Sequence, residues 1–304
     1  MSEVISDAVR KGYGSVAKSG LSSDQGNIKG IANAFGYSDE DLASIPAEAN
    51  MGLSCGNPIA MASISAGETV VDLGSGGGLD IFLASKSVGP TGMAIGIDMT
   101  GDMVSLARKN AEKGGYENVK FYLAEIEHMP LADNSVDCVI SNCVLNLTAD
   151  KDVALKEVFR VLKPGGRFAI SDIALRKELP EAIEKEVAAW TGCIAGALSV
   201  DQNREALTNA GFSQIDIQDA HSDLNAYKDG GLAACCGPEV ETEKSAGDSC
   251  CPTAEPDCCA PEETSKTDDQ VASEYHNTMS DLLDEFDVNE YAGSFKIFAL
   301  KPAV

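Results

Sequence analysis

Between residues 67 and 175 short apolar runs alternate with stretches of helical period, and this alternation restricts the folds open to the chain. "ETVVDLG" reads as a buried strand, and "LDIFLASKSV" as a helix stopped by Gly89 and Pro90. "GMAIGID" is a second strand. "TGDMVSLARKNAEKGG" opens on Thr100 as an N-cap and carries Met103, Leu106, Ala107 and Ala111 at helical spacing. "NVKFYLAEI" is a third strand, and "SVDCVISNCVL" a fourth, apolar almost throughout, as a strand covered on both faces should be. "KDVALKEVFRVLKPGG" is a helix ended by Pro164, Gly165 and Gly166, and "RFAISDI" a fifth strand. Strand–helix alternation of this kind predicts a doubly wound parallel sheet with right-handed crossovers.

The flanks divide the remainder. Residues 1–66 have helical character with Gly and Ser breaks, and residues 67–175 form the core unit. Within 176–219, "LPEAIEKEVAAWTGCIAGALSVDQNREALTNAGF" reads as two helices, the second stopped by Gly211. "SQIDIQ" then reads as a strand. Trp190 is expected in the core, with a place on a lid as the alternative. Residues 220–293 form an acidic, Cys-bearing insertion, and 294–304 hold a last strand, "SFKIFALKP". Between Glu239 and Glu290 stand 16 acidic and two basic residues, more than half of the chain's net charge of −25. Such charge excludes nucleic acid and anionic membrane surfaces as partners. The centre of the insertion, about 236–270, has the low-apolar composition of disorder. "MSEVISDAVRKGYG" lacks a signal-peptide pattern and no apolar run reaches bilayer length, so a cytoplasmic location is expected. There the ten cysteines read as ligands, redox groups or small buried hydrophobes rather than as a disulfide framework.

The loop after the first strand carries chemistry. "VVDLGSGGG" places Asp72 at a strand end, followed by Gly74, Gly76 and Gly78. Glycines there permit a tight turn and let a ligand approach the backbone, and the next helix adds N–H donors. Asp98 ends the second strand, where a carboxylate can bind the hydroxyl pair of a ribose. Leu79 stands where a dinucleotide fingerprint requires its third glycine.

The acidic-x-Gly-x-Gly-x-Gly pattern resembles the first motif of Rossmann-like methyltransferases that use S-adenosyl-L-methionine. The resemblance implies a seven-stranded α/β sheet with helices on both faces, the last strand antiparallel beside the fifth. It implies donor contacts from Asp72, Gly74, Gly76, Gly78, Asp98 and Met99, from Asn142, and from Ile126 and Glu127 beside the adenine. "GLSCGNP", "DLGSGGG", "GIDMT", "SNCVLNL", "FRVLKPGGRFAISDI" and "GCIAGAL" occur in the order found in arsenite methyltransferases, a resemblance running over about residues 10–220. It implies that Cys143 and Cys193 bind arsenite or its thiol conjugates. Cys55 would complete the coordination or form a disulfide that reduces an oxidised arsenic product. Thioredoxin or glutathione would supply the reducing equivalents. Trivalent arsenic is soft and prefers sulfur, and its lone pair attacks the donor methyl without a general base. Cys138 reads as core. The chain departs from some family members: "SSDQGNIKGIANAFGYS" has no cysteine, and Leu53 and Ser54 stand where a tyrosine is found, leaving Tyr13 as the aromatic candidate.

Three vicinal pairs, Cys235–Cys236, Cys250–Cys251 and Cys258–Cys259, lie in the insertion. They lack CxxC spacing. Either they capture arsenite for the site, or the segment is a solvated acidic loop. Two rival functions stay open. One is methyl transfer to a small carbon or oxygen acceptor of quinone or sterol type; the other is a thiol-rich binding protein without turnover.

Overall fold

The computed structural model describes residues 2–148, 150–179, 193–194, 196–226 and 287–303. Helices α1 (Ser2–Lys18), α2 (Gly26–Ala34), α3 (Asp39–Ala43) and α4 (Ile59–Ala62) precede the sheet. Then follow β1 (Thr69–Leu73), α5 (Leu79–Val88), β2 (Met93–Asp98), α6 (Gly101–Gly114), β3 (Val119–Leu123) and β4 (Val136–Asn142). Next come α7 (Lys151–Val161), β5 (Leu162–Leu175), α8 (Val200–Asn209), β6 (Ser213–Asp219) and β7 (Ala292–Leu300). The seven strands lie in the order β3-β2-β1-β4-β5-β7-β6. β1 to β5 pair in parallel, and β7 enters antiparallel between β5 and β6.

The strand period decides which side chains meet which helices. Val71, Leu73, Val139 and Phe168 face one layer, with Leu155 and Val158 of α7 and Leu207 of α8. Their neighbours Val70, Cys138, Ile140 and Ala169 face the other, with Phe82 of α5 and Val104 of α6. Cys138 is fully buried there, as expected for a small core residue. Parallel strands bring all their C-terminal ends to one edge, and the chain's reactive residues collect along that edge.

Two local expectations are corrected. The helix before the fifth strand ends at Val161, and "LKPGG" belongs to β5. The tertiary pairing explains this: Gly165 N–H donates to Lys301 O at 3.0 Å and Lys301 N–H donates to Gly166 O at 2.9 Å. Extended backbone there gains partners that one more helical turn would forgo. The ladder to β4 slips between Val136 and Cys138, so Pro164, which has no N–H, sits at an irregularity. Thr100 does occupy the N-cap of α6, but its side chain caps no helical N–H. It bonds Asp98, which also accepts the Thr100 backbone N–H at 2.8 Å.

Residues 180–192, with Trp190, and 227–286, with all three vicinal cysteine pairs, lie outside the described residues. Both ends of the acidic segment are described. They meet where Leu224 N–H donates to Asn289 Oδ1 at 3.0 Å and Asn289 Nδ2 donates to Asp223 at 2.6 Å. Among the described residues no helix is long and apolar enough to cross a membrane.

The base of the sheet is tied by Arg167, which forks onto both carboxylate oxygens of Glu68 at 2.8 and 2.6 Å. The Arg167 guanidinium holds the Glu68 carboxyl below its usual range. A carboxyl lowered on folding stabilises the fold above its unfolded titration range and loses that contribution as pH falls through the carboxylate range. Arg167→Ala is expected to cost about 1–2 kcal/mol at neutral pH, and less in acid. Urea denaturation at two pH values checks this; an equal cost at both would refute it.

Candidate active site

The glycine loop is built by backbone shape. Gly74, Gly76 and Gly78 all have positive φ, at 64°, 50° and 100°. At Gly74 the need is twofold, because a Cβ there would also collide with Val144. The loop is held against β2 by Gly76 N–H, which donates to Asp98 Oδ2 at 2.9 Å. A cavity of about 170 Å³ opens over it. Its lining includes all nine residues expected at the donor except Gly78, together with Tyr13, Leu53, Ser54 and Cys143. Gly78 instead starts α5 beneath the loop, where a Cβ would strike Phe82 at 2.6 Å.

The lining combines an apolar slot with buried acids. Met99, Met103, Ile126 and Leu147 supply the slot. Asp72, Asp80 and Asp98 are all buried at its inner wall. Burial pushes the Asp72 carboxyl well up, and the nearby Asp80 and Asp98 push it further. Burial likewise raises Asp98, against the N–H bonds it accepts, and raises Asp80 to about 6. Three crowded carboxylates favour a cationic ligand over a neutral or anionic one. Glu127 accepts a hydrogen bond from the Thr148 hydroxyl at the cavity rim.

Asn142 behaves differently from a simple donor contact. Its Oδ1 accepts from Cys55 N–H at 3.1 Å, and its Nδ2 donates to Tyr37 Oη at 2.9 Å and to Gly56 O at 2.8 Å. Tyr37 in turn donates to Asp80 at 2.7 Å. Although Asn142 lines the cavity, its amide is engaged in fastening the Cys55 loop to the end of β4. Ser294 adds a second fastening by donating to Cys55 O at 2.5 Å.

That loop carries Cys55 to Cys143, and the two are joined as a disulfide with Cα atoms 6.0 Å apart and a sequence separation of 88. Cys193 is a free thiol whose Sγ donates to Cys143 O at 2.8 Å. The three cysteines predicted from the sequence therefore meet in one apolar cluster, with Val9, Ile173, Leu224 and Val288. The cluster includes both ends of the acidic segment. Cys143 and Cys193 have left-handed backbones, φ 57° and 66°, uncommon for a residue with a side chain. Cys143 is held there by its N–H, which donates to Ser171 O at 2.9 Å. Burial pushes the Cys193 thiol well up, and Asp172 adds to this, against a Tyr13 hydrogen bond and Lys151.

Asp172 escaped the sequence reading, as did Asp80 and Tyr37. It is buried, its Oδ1 accepts from Asn146 Nδ2 at 2.9 Å and from Ile173 N–H at 2.8 Å, and burial raises it to about 7. A signal did exist: "AISDIAL" places one acid in an otherwise apolar strand end. Tyr37 carried no such local mark.

Residues 64–223, more than half of the chain, match the family described as methyltransferase domain. The chain belongs to that family. This methyltransferase-family chain is 48% identical over 198 residues to an arsenite methyltransferase of Halobacterium salinarum, covering 65% of itself and 50% of the relative. It is 36% identical over 151 residues to an arsenite methyltransferase of Aquipseudomonas alcaligenes, covering 47% and 44% of the two chains. The chain thus spans about half the length of the curated relatives it matches. Among solved structures it resembles an arsenic (III) S-adenosylmethionine methyltransferase from Chlamydomonas reinhardtii. The TM-score is 0.54 at 26% identity, with 90% of this chain and 74% of that one covered.

Proposed function

We propose that the chain transfers a methyl group from S-adenosyl-L-methionine to trivalent arsenic held by cysteine sulfur, in arsenic detoxification. One observation carries the reading: Cys143 faces the same cavity as the glycine loop and Asp98, and it is bonded to Cys55.

The cavity fits the donor. Asp98 would take the ribose hydroxyls, Ile126 and Glu127 the adenine, and the buried acids the positive charge. The bound donor supplies an electrophilic methyl. Arsenite enters by exchanging hydroxyls for thiols, so each thiol proton leaves on water and no base is needed. That suits Cys193, whose thiol burial pushes well up. Held beside the cavity, the arsenic lone pair is aligned with the methyl; positioning does the work. Methyl transfer oxidises the arsenic by two electrons. Cys55 sulfur then attacks Cys143 sulfur and gives up its thiol proton to solvent, the arsenic–sulfur bond breaks, and its electron pair stays on arsenic, restoring the trivalent state. The product of that step is the Cys55–Cys143 bridge, which thioredoxin or glutathione would reopen. The segment holding the six paired cysteines is rooted in the same apolar cluster, at Leu224 and Val288, which supports a role in capturing arsenite for the site.

The deciding test incubates reduced protein with S-adenosylmethionine, arsenite and a thiol, and separates the arsenic species by chromatography. Methylated arsenic is expected. Binding without methylation would favour sequestration, and neither would direct the search to a carbon or oxygen acceptor. Asp98→Ala is expected to raise the KM for the donor about tenfold or more, since two loop N–H groups lose their acceptor along with the ribose contact. An unchanged KM would remove Asp98 from the donor site.

A further inference from the structure

At the cysteine bridge lies a donor set whose carboxylate arsenite methylation does not use. The Cys55 and Cys143 sulfurs and a carboxylate oxygen of Asp172 lie within 4.8 Å of one another, and all three residues are buried. Asp172 Oδ1 is occupied by Asn146 and Ile173, but Oδ2 is buried with no hydrogen-bond partner among the described residues. An oxygen left in this way needs an occupant or carries a penalty. Lys151 sits close enough to act electrostatically on Asp172 and Cys193.

We propose that, once the bridge is reduced, Cys55, Cys143 and Asp172 form a binding site for a divalent d10 cation of the Zn²⁺ class. The donor set favours this. Two thiolates and one carboxylate are borderline ligands that zinc accepts together, whereas trivalent arsenic prefers sulfur alone. Zinc–sulfur and zinc–oxygen bonds of about 2.3 and 2.1 Å put tetrahedral ligands about 3.5–3.8 Å apart, so on reduction the two sulfurs must separate to that spacing, while the Asp172 oxygen already lies within 4.8 Å of both. The charges balance: two thiolates and a carboxylate carry −3, the cation +2 and Lys151 +1, as burial requires. Three protein ligands leave a fourth position, on the cavity side where Cys143 lies. Opening the bridge with a phosphine and water gives two thiols and a phosphine oxide. Binding then releases two thiol protons to solvent. The cation site stands without the arsenite reading. Its consequence rests on that reading: a cation on Cys143 excludes arsenite, so zinc would hold the reduced enzyme idle and shield its thiols from oxidation.

The test uses the full chain with Cys235, Cys236, Cys250, Cys251, Cys258 and Cys259 changed to Ser, so that thiols elsewhere do not compete. The protein is reduced with a phosphine, freed of it without oxygen, and titrated with Cd²⁺ while the thiolate-to-metal band is followed. One Cd²⁺ per chain with the intensity of two thiolates is expected, displaceable by Zn²⁺. Asp172→Asn should weaken it about tenfold or more. Cys55→Ser should abolish it, and Cys193→Ser should leave it. No binding, equal binding by Asp172→Asn, or dependence on Cys193 in place of Cys55 would each overturn the proposal. Should a variant misfold, X-ray absorption of the zinc-loaded parent decides: two sulfurs with lighter ligands support the site, three or four sulfurs refute it. Arsenite methylation is assayed separately on the same protein. Its absence with Cd²⁺ binding intact would count against the arsenite reading alone.

Discussion

Cys143→Ser is expected to lower arsenite methylation by a factor of about 100 or more while the affinity for the methyl donor stays close to that of the parent. Two losses coincide at this residue. A serine oxygen is a poor partner for arsenic, so the substrate would hang from fewer sulfurs and swing away from the methyl; displacement of about 1 Å is worth about 100-fold. The variant also cannot form the bridge to Cys55, so it cannot return the methylated arsenic to the trivalent state. Cys55→Ser separates the two. It should permit one turnover and then stop, because the arsenic ligands remain and only the reductive step is lost. Rapid-quench measurement of methylated arsenic per protein distinguishes a burst near one equivalent from no product. If Cys143→Ser methylates arsenite as the parent does, the sulfur-bound substrate is wrong, and a carbon or oxygen acceptor becomes the better reading.

Gly74→Ala is expected to cost about 2–5 kcal/mol of stability and most of the donor affinity. The backbone at Gly74 is left-handed, φ 64°, which costs an alanine about 1–2 kcal/mol. Its methyl would also collide with the Val144 side chain, and overpacking adds about 1–3 kcal/mol. Val144 follows Cys143, so the collision pushes on the cysteine as well as on the glycine loop. Gly74→Ala with Val144→Ala should recover the steric part and retain the backbone part, a non-additivity that a double-mutant cycle in urea measures. Additive costs would mean that the two segments do not touch in solution. Unaltered stability and donor binding in Gly74→Ala would show that the loop relaxes freely.

Much of the site was legible in the chain because its signals are local. A strand, three glycines and an acid on the next strand mark the donor side within 27 residues, from Asp72 to Asp98. Cys55, Cys143 and Cys193 stood out by their short Gly-bearing or strand-end contexts, and the fold brings all three into one cluster. The errors were at boundaries. "LKPGG" reads as a helix stop by composition, yet it is strand, because Lys301, over a hundred residues later, offers it hydrogen bonds. Composition reports what a residue tolerates; a distant partner decides which tolerated state wins.

By itself the sequence determined the order of strands and helices, the loop for the donor and the presence of soft ligands, all of which follow from hydrophobic period and residue chemistry. Tertiary structure alone decided who meets whom. It joined Cys55 to Cys143 across 88 residues, turned the Asn142 amide to the Cys55 loop, and set the Asp172 carboxylate beneath the sulfurs. The physical reason is that pairing across a sheet edge depends on register and strand order, and these are settled by packing both faces of the sheet at once.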